Sequence, residues 1–358
     1  MTFRNIAGIV ARIVVGLVFV LSALTKYLSV DAVDLFVYEH RILSWDVTTF
    51  ATRLLIVIEA FTGIMLLIGI YPKHIKRLAI VMLAAFTVYV LVKPFIFDVD
   101  TDNCHCFGTV LLLSDKQTLV KNIILLVISY FMFWDGGFMQ IKCDNTGSVS
   151  QEEDTKQTKK KKVSGIIFKN RKFISVLLFV VLLIVAMTVK MPEPVSRRLY
   201  PKTASIDKEK FDMLIGKVSS DILSGRDTVF ASLYDSASAS LQDMGVMSGK
   251  KILCLYSTGC KYCKRSAIRL DVIRQRYNIA DTSFALVFWG NINKVDSFFV
   301  KTDTKILPHV LVSPYVFLPA TKGRQPVIAL MEDGEVKQLL KYPNINEKEI
   351  ADFFDIKH

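Results

Sequence analysis

Five long apolar runs, at residues 6–26, 54–70, 78–97, 119–134 and 173–189, limit what this chain can become. A helix that crosses a bilayer needs about 20 mostly apolar residues, and each run is close to that length. Beyond residue 190 the pattern changes, with apolar residues alternating in short strands or recurring at helical spacing. The averages, 52% hydrophobic residues and a mean hydropathy of +0.39, therefore blend two regimes. The expected architecture is multi-domain: an all-α transmembrane four-helix bundle (residues 1–140), a basic linker (141–172), a fifth transmembrane helix (173–190), a tether with a helical extension (191–249), and an α/β domain (250–358).

A net charge of +12 would ordinarily raise the question of nucleic acid. Here the basic residues gather between apolar runs, without the interleaved aromatics of a nucleic-acid surface, so that class is set aside. Lysine and arginine mark the cytoplasmic side of a membrane protein. Lys73, Lys76 and Arg77 follow the second run, and Lys142, Lys156, Lys159, Lys160, Lys161, Lys162, Lys169, Arg171 and Lys172 lie between the fourth and the fifth. The alternate loops are acidic, with Asp31, Asp34, Glu39 and Asp46 in one and Asp98, Asp100, Asp102 and Asp115 in the other. Five spans then put the N-terminus in the cytoplasm and everything after the fifth span on the extracytoplasmic side. The first run has no small-x-small cleavage site and is interrupted by Arg12, so a retained span is expected rather than a cleaved leader.

Of the six cysteines, four form close pairs: Cys104 with Cys106, and Cys260 with Cys263. Both pairs fall on the extracytoplasmic side of this topology, where disulfide chemistry is tolerated. Cys143 lies in the cytoplasmic linker, and Cys254 sits inside an apolar strand as a small buried hydrophobe. A C-x-x-C pair is either redox-active or half a zinc site. Zinc needs two further ligands, and no second close Cys/His pair lies in this domain, where His309 is isolated in sequence, so no metal site is expected.

Around Cys260 the order is a strand at 251–257, the C-x-x-C, a helix at 264–277, a strand at 283–289, the Pro-led strand 327–331, a turn at Asp333–Gly334, a strand at 335–341 and a helix at 347–354. This order resembles the thioredoxin fold, and the long gap between Cys263 and Pro326 resembles the insertion of its membrane-anchored TlpA-like branch. The helix N-terminus and the neighbouring Lys261, Lys264 and Arg265 favour a thiolate at Cys260, the expected nucleophile. Cys263, one turn on, is the resolving thiol. The resemblance further implies a cis bond before Pro326, with the Gln325 backbone presented to the substrate.

The membrane half resembles the DoxX/MauE-like family of redox-associated membrane proteins. Arg12, Gly16, Phe19, Ser22 and Lys26 carry that resemblance in the first run and Glu59, Gly63 and Gly69 in the second, with Cys104–His105–Cys106–Phe107–Gly108 after the third. Arg12 and Glu59 are charges within apolar runs, where a partner or a cavity is expected. For Arg12, near the end of its span, snorkelling is the competing reading, and Lys26 and Lys93 are expected to snorkel.

A C-x-C pair closes only a small, strained disulfide, which makes it a ready exchange partner for the C-x-x-C. The expected activity is thiol–disulfide oxidoreduction. Electrons pass between extracytoplasmic protein thiols or disulfides, Cys260/Cys263 and Cys104/Cys106, with no covalently bound cofactor. No second cysteine pair faces the cytoplasm, so a lipid-soluble quinone is the expected acceptor. Two alternatives stand beside this: a TlpA-type reductase on a passive membrane anchor, and copper delivery through Cys104–His105–Cys106 and the C-x-x-C.

Overall fold

The computed structural model describes residues 3–69, 72–96, 114–134, 171–199, 204–219 and 228–356. Cys104, Cys106 and Cys143 lie outside the described residues, as does nearly all of the expected linker. The chain divides into two compact units, Met1–Asp34 with Thr49–Pro192 and Leu35–Thr48 with Glu193–His358.

The first unit is helical. Its helices are α1 (Phe3–Leu28), the first half of α2 (Val30–Glu39), most of α3 (Trp45–Ile68), α4 (Pro72–Ile96), α5 (Asp115–Phe131) and α6 (Arg171–Val189). Helix α1 shows why these runs form a bundle. Gly8, Ala11, Val15, Gly16, Phe19, Ser22, Ala23 and Lys26 are buried, at the three- and four-residue spacing of one helical stripe. The opposite stripe exposes Ile6, Val10, Ile13, Leu17, Leu21 and Leu24. A helix with an apolar outer face and small residues on its inner face suits a lipid surround. Phe3–Leu28, Trp45–Ile68 and Lys73–Lys93 are long and apolar enough to cross a membrane. Phe173–Val189 joins them as a fourth candidate when taken with the short helix that follows it. The expected fourth run forms α5, of 17 residues, which opens on a capping box between Ser114 and Gln117.

Two boundaries differ from the sequence reading. Helix α3 begins at Trp45, nine residues before the expected start at 54, and so takes in Arg53. Arg53 does not end the helix because its guanidinium donates to both carboxylate oxygens of buried Asp34, at 2.7 and 2.9 Å. The acidic segment after α1, expected to be a loop, contains helix α2.

The second unit is a mixed α/β structure. Helices α7 (Glu193–Leu199), α8 (Lys208–Leu214) and α9 (Thr228–Asp243) precede the sheet. There follow β1 (Lys250–Ser257), α10 (Lys261–Arg276), β2 (Phe284–Trp289), α11 (Val295–Thr302), β3 (His309–Leu311), α12 (Pro314–Thr321), β4 (Val327–Glu332), β5 (Glu335–Leu340) and α13 (Glu347–Phe353). The five strands order as β3-β2-β1-β4-β5, with β1 parallel to β2 and antiparallel to β4. The expected insertion thus holds two helices and an edge strand, and His309 belongs to that strand.

Side chains alternate across central β1. Ile252, Cys254 and Tyr256 face a core shared with Cys263, Ala267, Leu270 and Ile273 of α10. Leu253 and Leu255 face a second core shared with Phe211 of α8, Leu241 of α9 and Phe317 of α12. A strand buried on both faces fixes its register firmly, and β1 delivers its C-terminal end to the C-x-x-C.

Residues 35–48 also belong to this unit. Leu35, Tyr38 and Trp45 pack on Val272 and Ile268 of α10. The Trp45 amide donates to Glu347 Oε1 at 2.6 Å, and Arg276 Nη2 donates to the Leu43 carbonyl at 2.8 Å.

Candidate thiol–disulfide site

Cys260 is the N-cap of α10, and Cys263 lies one turn inside. The first amides of a helix lack intrahelical acceptors, and here the cysteine sulfur takes that place: Cys263 N–H donates to Cys260 Sγ at 3.2 Å. The Ser257 amide, at the end of β1, approaches Cys263 Sγ at 3.5 Å. Cys260 is partly exposed and Cys263 is buried, and both are free thiols.

This geometry splits the two acidities. Cys260 is brought down to about 6, chiefly by its hydrogen bond with the Cys263 thiol. Burial opposes that shift, while the backbone amides of Cys263 and Tyr262 and the charge of Lys264 assist it. Cys263 moves far upward, first through burial and then through the neighbouring Cys260. One sulfur is thus ready to attack and the other stays protonated until a mixed disulfide forms. Cys254 faces the same core from β1, and burial pushes its thiol up to about 12. That leaves it chemically inert, as its place in an apolar strand implied.

The Gln325–Pro326 peptide bond is cis. Gln325 is held by its side chain, whose Oε1 accepts from Trp289 Nε1 at 2.9 Å. A pocket of about 300 Å3 brings Gln325 and Pro326 together with Tyr262, the residue between the two cysteines, and with Arg324, Lys341 and Tyr342. Arg265 lies against the rings of both Tyr262 and Tyr342, at 5.8 and 5.9 Å from their centroids. The sequence reading singled out Cys260, Cys263, Gln325 and Pro326; the first two stand at the start of α10 and the last two line this pocket. It missed Arg324, Lys341 and Tyr342, which carry no local motif and reach the pocket only through the β4–β5 hairpin.

The membrane charges find partners. Glu59, on α3, accepts two hydrogen bonds from Lys26 Nζ, at 2.7 and 2.9 Å, and one from Ser22 Oγ at 2.7 Å. The expectation that Lys26 snorkels is therefore corrected: its ammonium turns inward and its side chain is 5% exposed. With the ammonium held on the Glu59 carboxylate, neither charge is left alone in the apolar bundle, where an unpaired buried charge is the costly state. Lys93 is likewise buried rather than snorkelling, and it pairs with Asp115 at the start of α5 at 3.0 Å. Arg12 lies against Gly69, where a Cβ atom would come within 2.2 Å of its Nη1. Among the described residues, no three His, Cys, Asp or Glu side chains converge as a metal site.

Comparison with known proteins agrees with this division. Residues 4–135 match the model of a family described as Methylamine utilisation protein MauE. Protein TlpB of Flavobacterium psychrophilum is 23% identical over 311 residues, covering 81% of this chain and 79% of its own length. No solved structure matches the chain. The two matches support a MauE/DoxX-like membrane domain fused to a thioredoxin-like region, in a membrane-anchored, redox-related protein.

Proposed function

We propose that this protein is a membrane-anchored thiol–disulfide oxidoreductase that oxidises extracytoplasmic protein thiols and passes the electrons into its own membrane domain. The observation that carries the reading is the split pair at the start of α10: a half-buried Cys260 lowered to about 6, beside a buried Cys263 raised far above its usual value. The pocket containing Gln325, Pro326 and Tyr262, the residue between the two cysteines, offers room for an extended substrate segment.

In the oxidised enzyme, a substrate thiolate attacks the Cys260 sulfur and displaces Cys263 as the leaving thiolate. A second substrate thiol then resolves the mixed disulfide, and the substrate leaves oxidised by two electrons. Cys260, now a thiolate, attacks a Cys104–Cys106 disulfide, and Cys263 closes on Cys260 to release the reduced Cys104/Cys106 pair. That dithiol returns two electrons and two protons to a lipid-soluble quinone, giving a quinol. Five spans, with the N-terminus in the cytoplasm, place both cysteine pairs on the extracytoplasmic side. The likeness to a TlpB protein and to the MauE family supports the pairing of a redox domain with this membrane domain.

The test is the thiol state of Cys260/Cys263 in living cells, read by alkylation and gel shift, with Cys104 and Cys106 intact or replaced by serine. A pair that is oxidised in the intact protein and reduced after the replacement is the expected result. No change would make the helices a passive anchor, and a pair that turns oxidised would reverse the direction of flow.

A further inference from the structure

The pocket that contains Gln325, Pro326 and Tyr262 carries charge of one sign. Arg324 and Lys341 line it, and among the described residues no Asp or Glu joins them. The β4–β5 hairpin brings the two cations to one place. Ile328 of β4 pairs with Leu340 of β5, so the chain entering β4 and the chain leaving β5 lie side by side.

Neither cation is neutralised there. Arg324 Nη1 reaches Ser205 Oγ at 3.5 Å, beyond the ordinary length of an N–H···O bond. Lys341 makes no ion pair among the described residues. The acids of neighbouring segments are engaged elsewhere: Glu332, Glu335 and Glu347 pair with Lys337, Lys217 and Arg276. The surrounding sequence strengthens the field. Residues 258–268, 322–331 and 341–346 carry Lys261, Lys264, Arg265, Lys322, Arg324 and Lys341, and no acid.

The pocket is also open and large enough for a side chain. Its buried members, Val327 and Tyr342, are 1% and 7% exposed, while Tyr262 is 53% exposed. A volume of about 300 Å3 is at the lower end for sites that hold a small ligand.

We infer that this pocket selects substrate proteins with an Asp or Glu two residues from the reactive cysteine, held by Arg324 and Lys341. The inference rests on the thiol–disulfide reading above and names its substrate class, whichever way the electrons flow. In an extended segment, residues two apart point to the same face. A cysteine turned toward Cys260 thus turns that acid toward the same surface, and an arginine fork matches a carboxylate with two parallel hydrogen bonds.

The test uses the full-length reduced protein in nanodiscs, with Cys104, Cys106 and Cys143 replaced by serine. The probes are peptides whose single cysteine is a 2-pyridyl disulfide, with Glu, Gln or Lys two residues away. The Cys260 thiolate attacks the peptide sulfur, a Cys260–peptide disulfide forms, the bond to the pyridyl sulfur breaks, and pyridine-2-thione leaves. Absorbance of the thione gives the rate, and Cys260→Ser gives the background to subtract. Each rate is divided by that of neutral iodoacetamide, which removes changes in folding or in the thiol itself.

The Glu peptide should react roughly three- to tenfold faster than the Gln peptide, and the Lys peptide more slowly than either. Arg324→Gln with Lys341→Gln should bring the Glu/Gln ratio close to one. Lys301→Gln, at an exposed position on α11, should keep it. Equal rates for the three peptides would overturn the selectivity and leave the thiol–disulfide reading standing. A ratio that survives the double replacement, or falls as far in Lys301→Gln, would assign the preference to the general field and overturn the pocket. No Cys260-dependent reaction with any peptide would overturn the thiol–disulfide reading, and the inference with it.

Discussion

The backbone N–H of Cys263 donates to the sulfur of Cys260 across 3.2 Å, so the resolving cysteine supplies the group that holds the nucleophile as a thiolate. The Cys263 thiol adds the largest single contribution in the same direction. The acidity of one residue is thus a property of the pair.

Cys260 alkylation should therefore titrate with a midpoint near 6, against an ordinary value of 9.0. Cys263→Ala removes the thiol but keeps the amide, so the midpoint should rise part of the way back. A rate–pH profile with iodoacetamide measures both. An unchanged midpoint in the variant would assign the shift to the helix terminus and Lys264 instead.

The same shift predicts a pH-dependent stability of the reduced enzyme. The folded value lies below the unfolded one, so the stabilisation is fully present above about 9 and is lost as pH falls through about 6. Melting temperatures of the reduced protein should rise across that window relative to Cys260→Ser. A parallel response of the two proteins would contradict the thiolate assignment.

Arg269 is buried in α10, six residues beyond Cys263. It donates to both Glu193 carboxylate oxygens at 2.9 and 3.0 Å and to the Tyr342 carbonyl at 2.8 Å, and its guanidinium lies 3.8 Å from the centre of the Trp45 ring. Arg269→Met should cost about 3–5 kcal/mol, because Glu193 is left buried without its partner. Denaturant unfolding of the second unit, followed by Trp fluorescence, measures the loss.

Glu59 and Lys26 form a buried pair with the same logic and a different remedy. Glu59→Leu alone should destabilise the bundle by about 3–5 kcal/mol, whereas Lys26→Met with Glu59→Leu should recover most of that loss. Thermal unfolding in detergent across the double-mutant cycle gives the coupling. Additive losses would mean that the two side chains act independently.

Gly63 tests the contact between α1 and α3. A Cβ there would meet the Val20 amide nitrogen and the Gly16 carbonyl oxygen, both at 2.9 Å, and neither backbone atom can move without shifting its helix. Gly63→Ala should therefore cost about 1–3 kcal/mol. At Gly259 an added Cβ meets nothing within 4 Å, so Gly259→Ala should be tolerated. Equal effects at the two positions would argue against the close helix contact.

The sequence by itself determined the features whose causes are local. Apolar runs of bilayer length set the long helices of the first unit, and the C-x-x-C at a strand-to-helix junction set Cys260 as the N-cap of α10. The Pro-led hairpin placed Gln325 and Pro326 near the end of the chain. Tertiary structure decided what depends on contact between distant residues. Lys26 reads as a snorkelling lysine until α3 brings Glu59, 33 residues on, to its ammonium. Residues 35–48 read as an acidic loop until their backbone and rings meet α10 and Glu347, as in the Trp45–Glu347 bond that spans 302 positions. The helices inside the long insertion were missed because α11 and α12 are only eight residues each, too short for a clear period. A buried charge has to find its partner wherever the fold brings one, and helical or strand periodicity holds no record of where that is.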